Sequence, residues 1–426
     1  MSSEAIQVYA PSKQGPKQDG VRLKAVMRRD RAAEATLLPL PLATIYRDGI
    51  ADGMLVRYYP VYGEWWLKEC CWLKPAISGL DFAPLKRAGD ALAFAIMGIS
   101  TSDDYYTQYS MEYYGRTIRD LQLVCEKGNR NDMFKILLSV LLAWTYDQIN
   151  PTERDVIKGS GHTVGLASIL QLMGPKAFQH NPEYQAFLFV RFAQLQEAAL
   201  TRQPSFLASQ EWMEVPFELL SKNELHIATD FLGELIPVQQ KFKQINEDRI
   251  AYPNVKAGLK ELFGEIKMFC ERLDACSAGI IQRHPSLFPF LKSASRGVME
   301  IPIVRFGHIG DAGMMLSLYV CRLCMYDLAW DVRDMDATII SKKFMSYLEN
   351  MALDSADGTL SLIPWLTEAA QGVEGIMGTR FCDKPLELAY QTYERLGGYE
   401  FRMVECTKQI RRLTAVQMLR ERGGRA

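Results

Sequence analysis

The run NDMFKILLSVLLAWTYDQI, residues 131–149, reads as a buried helix. Its apolar residues recur at three and four positions without the alternation of a strand. Asn131 precedes the run as a side chain able to accept a backbone N–H, and Asn150–Pro151 follows it, where the proline disfavours continuation. The most apolar part, Ile136 to Trp144 interrupted by Ser139, is far shorter than the roughly 20 residues that span a bilayer. Working outward, the same periodicity predicts helices around 91–99, 105–125, 163–173, 182–200, 222–246, 255–278, 312–333, 339–353 and 385–413. Pro and Gly fall mainly between these segments, and Gly174–Pro175 stops one of them. The expectation is an all-α fold, one large multi-helix domain over residues 36–426 around a central apolar cavity. A polar, basic arm precedes it over residues 1–35, carrying Lys13, Lys17, Arg22, Lys24, Arg28, Arg29 and Arg31.

Composition narrows the function classes. A chain of 426 residues with 48% hydrophobic and 23% charged side chains buries a sizeable core and is not dominated by disorder. A net charge of −1 gives no overall field toward a nucleic-acid backbone or an anionic membrane. Nine scattered cysteines read as reduced thiols rather than a disulfide framework. With a polar start and no signal peptide, the expected location is cytoplasmic or nuclear. The sequence holds no GxSxG, GxxxxGK[ST] or HExxH motif, and its five histidines are dispersed, which removes the corresponding hydrolase, nucleotidase and metalloprotease readings.

The succession YYGRTIRDLQ (113–122), the run at 131–149, GSGHTVGLASILQLMGPKAF (159–178) and FLFVRFAQLQEAALTRQPSFL (187–207) resembles the helical regulatory domain of fungal zinc-cluster transcription factors. Gly161, His162, Gly165, Gly174, Pro175, Arg191 and Gln194 carry that resemblance over residues 90–215. It implies a regulator of a fungal biosynthetic gene cluster. The six closely spaced cysteines by which that family reads DNA have no counterpart, since no cysteine precedes Cys70. A regulator of this kind therefore acts through a protein partner, without direct nucleic-acid binding.

The leading expectation, to which the regulator is the alternative, comes from acidic residues at the ends of apolar helices. Asp327, Asp331 and Asp334 share one face of a helix by their spacing. Asp147 and Asn150 share a face at the end of another. Two such sets suit Mg²⁺ or Mn²⁺ gripping the diphosphate of an isoprenoid substrate. Lys158, Arg191, Arg202 and Arg305 are candidates to hold the anion, and Trp144 and Trp330 to face a carbocation. The size and aromatic content are similar to those of the fungal humulene-forming sesquiterpene cyclases. That similarity implies metal-assisted ionisation of farnesyl diphosphate and cyclisation to a humulene-type hydrocarbon. The DDxxD pattern fails after Asp103–Asp104. The plainer alternative makes the carboxylates ordinary helix ends, those of the 327–334 face paired with Arg322 and Arg333.

Overall fold

The computed structural model describes residues 82–101, 103–127, 130–149, 161–247, 254–283, 309–368 and 382–422. Among these residues the fold is all-α. The helices are α1 (Ala83–Thr101), α2 (Asp104–Lys127), α3 (Met133–Ile149), α4 (Gly161–Met173), α5 (Glu183–Thr201), α6 (Gln210–Glu214), α7 (Glu224–Glu247), α8 (Val255–Arg283), α9 (Ile309–Met335), α10 (Lys342–Glu368), α11 (Asp383–Leu396) and α12 (Glu400–Arg422). The basic arm lies outside the described residues.

The run that opens the sequence argument becomes α3, with Ile136 to Asp147 buried without interruption. A helix buried all round has no place for unpaired hydroxyls. Ser139 Oγ therefore donates to the Lys135 carbonyl at 2.7 Å and Thr145 Oγ1 to that of Leu141 at 2.9 Å. Helices α1, α2 and α3 pack on one another, and α3 passes the core on to α4 and α5. Helix α5 packs in turn on α7 and α9, and α9 also meets α8, α10 and α11. By length and composition residues 310–335 of α9 could cross a membrane, but 83% of its apolar window is buried inside the protein. Its neighbours, not lipid, cover it.

Several helix limits differ from expectation, α1 beginning at Ala83 and α8 running to Arg283, and two of the differences have a visible cause. Helix α10 runs fifteen residues past Leu353, to Glu368, through a DSADG stretch whose composition reads as a stop. The tertiary structure overrides that reading at two residues. Asp357 is 8% exposed, accepts from Arg402 Nε at 2.6 Å and Nη2 at 2.9 Å, and accepts from Tyr393 Oη at 2.6 Å. Next to it, Gly358 gives the Tyr319 ring of α9 room that a Cβ would fill, since Cβ would fall 2.6 Å from Cε2. The other difference is the expected helix over 385–413, which is broken into α11 and α12. Gly397 and Gly398 adopt φ of 69° and 77°, a region open to glycine and costly for other residues.

Candidate functional site

The acidic face of α9 is not open. Helix α5 ends at Arg202, whose backbone turns left-handed at φ 52°. The turn is held by α7, where Gln240 Nε2 donates to the Arg202 carbonyl and Gln239 Nε2 to that of Ala199, both at 2.9 Å. From this corner the guanidinium reaches two turns of α9 at once. Nη2 donates to Asp327 Oδ2, and Nη1 to Asp331 Oδ2 at 2.6 Å. Arg395 of α11 takes the other oxygen of Asp327. Two guanidinium groups and two carboxylates thus form a neutral clasp joining α5, α9 and α11. It is partly exposed, the arginines by about a third and Asp327 by 16%. Burial works against the Arg202 charge, yet Asp327 and Asp331 hold the group above its ordinary pKa.

Asp327 and Asp331, expected to hold a metal ion, here face arginines. Both oxygens of Asp327 accept charge-assisted hydrogen bonds, as does one of Asp331, so their negative charge is already met by two guanidinium groups. Among the described residues no group of three His, Cys, Asp or Glu side chains is placed to hold a metal ion. The partners named by sequence proximity are also engaged elsewhere. Arg322 donates to Asp274 at 3.0 Å, and the Arg333 guanidinium lies 3.6 Å from the Trp330 ring centroid.

Asp147 belongs to a different corner. Its Oδ2 lies 3.3 Å from His162 Nε2, which in turn lies 2.8 Å from Tyr114 Oη, while Tyr114 stacks on Tyr146 at 4.3 Å. His162 belongs to α4 and Tyr114 to α2, whereas the arginines on Asp327 come from the end of α5 and from α11. Asn150, Lys158 and Arg305 lie outside the described residues. The remaining candidates are packed. Trp144 is 9% exposed and edge-on to Phe189 at 5.9 Å. Trp330 meets Tyr326 edge-on and has Arg333 over its face. A cleft bordered by Leu141, Trp144, Leu166, Val190, Gln194 and Glu197 has room for about one water molecule. Arg191 is buried against Asp230 of α7.

Some of the positions that carry the regulator resemblance lie at contacts between helices. Gly165 of α4 passes α3 closely, with Val140 at 3.7 Å from where a Cβ would stand. Gln194 Nε2 of α5 donates to the Thr163 carbonyl of α4 at 3.1 Å. Gly174, at φ 76°, ends α4 by donating its N–H to the Leu170 carbonyl at 2.9 Å, and Pro175 opens the following turn. His162 tethers α4 to α2 and α3 through Tyr114 and Asp147. Of the cysteines, Cys270 and Cys324 are pushed up to about 12 by burial. They are packing groups rather than nucleophiles. No protein-family model matches the chain, and neither does a curated protein or a solved structure.

Proposed function

We propose that the chain is a helical regulatory module of the kind found in fungal zinc-cluster transcription factors. It acts by binding a partner protein that reads DNA, and it carries out no metal-assisted chemistry of its own. One observation carries the reading. Three of the residues on which the resemblance rests, His162, Gly165 and Gln194, lie at contacts that α4 makes with α2, α3 and α5. The arginine clasp on Asp327 and Asp331 supports it from the other side, because it turns the candidate metal ligands of the cyclase reading into links between helices.

The test tethers the chain to a heterologous DNA-binding domain in a fungal host and reads a reporter gene. In parallel, purified protein is incubated with farnesyl diphosphate and Mg²⁺. The proposal expects altered reporter transcription and no hydrocarbon in the headspace. An unaffected reporter together with Mg²⁺-dependent release of a sesquiterpene overturns it in favour of the cyclase.

A further inference from the structure

Helix α2 has two unlike sides. Ser110, Tyr113, Thr117 and Leu121 are buried, and this side packs on α1 and α3, with the Tyr113 ring centroid 5.6 Å from that of Phe94 and Ser110 Oγ 3.4 Å from Tyr146 Oη. Thr117 returns its hydroxyl to its own helix, donating to the Tyr113 carbonyl at 2.9 Å. Further round the helix run Gln108, Met111, Gly115, Ile118, Gln122 and Cys125. None is charged, and they recur at alternate steps of three and four, the spacing by which one helix keeps a seam toward another. Met111 is 56% exposed. A Cβ at Gly115 would meet nothing within 4 Å, which leaves a dent in the seam one turn from Ile118. Beside the seam, seven residues apart, stand Glu112, Arg119 and Glu126, all exposed. Arg116 of the same helix engages Glu112, which still stays 45% exposed.

We propose that a second copy of this chain docks on α2, the two helices running antiparallel about a two-fold axis. The pattern complements itself in that sense alone. With the second copy turned end for end, each Ile118 enters the dent over the partner's Gly115, and each Glu112 comes opposite the partner's Arg119. Set parallel, Gly115 would face Gly115 and leave a gap, and the charged row would face Thr107, Tyr114 and Leu121 instead of charges of opposite sign. Burial of Met111 and Ile118 supplies the apolar gain. At 1.5 Å per residue the seam from Gln108 to Cys125 is about 26 Å long, so one helix pair buries less than the roughly 1,600 Å² of a stable complex. The dimer therefore comes apart on dilution. The pairing is independent of the regulatory reading.

Sedimentation velocity of the full chain, from nanomolar to high micromolar concentration, tests the pairing. The mass is expected to pass from one chain to two as concentration rises. Gly115→Leu fills the dent and is expected to keep the chain monomeric throughout. Its thermal midpoint should not fall, because the new side chain meets nothing within the monomer and leucine suits a helix better than glycine, so loss of the dimer is separable from loss of the fold. Arg119→Glu and Glu112→Arg, both at exposed positions, set like charges across the seam and are each expected to weaken self-association about tenfold or more. The two charge variants mixed should associate as the unaltered chain does, since opposite signs then meet again. A single-chain mass at every concentration, a dimer that survives Gly115→Leu, or charge variants that self-associate as tightly as the parent each overturn the proposal.

Discussion

Single carboxylates in this protein are set by what faces them rather than by their place in the chain. Asp336, just after α9, accepts from the Thr338 backbone N–H at 2.9 Å and from Thr338 Oγ1 at 2.6 Å. Lys256 lies 3.2 Å away. The Thr338 bonds, with help from Lys256, lower its pKa from 3.8 to about 2. A carboxylate whose folded pKa lies below its unfolded one adds stability above the unfolded value, and that contribution is lost as pH falls through the folded value. Asp336→Asn should therefore flatten the fall in urea midpoint between 3.8 and about 2, while a steep fall retained in the variant would assign the acid sensitivity elsewhere. Backbone conformation matters in the same way at Gly174, whose φ of 76° and ψ of 158° lie where glycine alone is at ease. No atom would contact an added Cβ. Gly174→Ala is thus expected to cost about 1–3 kcal/mol from strain alone, read as a lower denaturation midpoint with an unchanged slope.

At the level of the helices, the C-terminal pair is fastened to α10 through one buried acid. Asp357 takes Arg402 in a bidentate pair and Tyr393 through its hydroxyl. Arg402→Met would leave that carboxylate buried with the phenol alone. Arg402 is itself partly exposed, so the expected loss is about 2–3 kcal/mol, below the range for a fully buried pair. Amide hydrogen exchange should show α12 losing protection first; protection lost evenly over all helices would contradict this. The neighbouring contact of α10 with α9 depends on Gly358. Gly358→Ala drives a Cβ into the Tyr319 ring and should cost about 1–3 kcal/mol. Tyr319→Leu in that background should restore part of the loss, and no recovery would place the strain elsewhere. The same two residues show why α10 was cut short in the sequence reading. Asp and Gly in mid-helix are unfavourable locally, and what offsets them comes from Arg402, 45 residues away, and from Tyr319 on another helix.

Across the whole molecule, the helical class was readable because the run at 131–149 and its fellows state their periodicity locally. The Gly174–Pro175 stop of α4 was readable because it is written in adjacent residues. The acidic face of α9 was readable too: Asp327 and Asp331 do share a side of the helix. What could not be read is what they face, since Arg202 lies 125 and 129 residues upstream of them and Arg395 lies 68 residues beyond Asp327. Spacing along a helix tells which side chains are neighbours, not which element is packed across from them. A face of like charges therefore reads equally as a cation cradle or as half of an ionic contact. Here Arg202 and Arg395 make it half of an ionic contact. A double-mutant cycle on Asp327→Ala and Arg202→Ala, followed by urea unfolding without added metal, measures it directly. The clasp predicts that each single change destabilises by roughly 1–3 kcal/mol and that the pair couples by about 1 kcal/mol or more. Additive effects, or an Asp327→Ala protein more stable than the parent because a repulsion has been removed, would contradict it and return the aspartates to the pool of metal ligands.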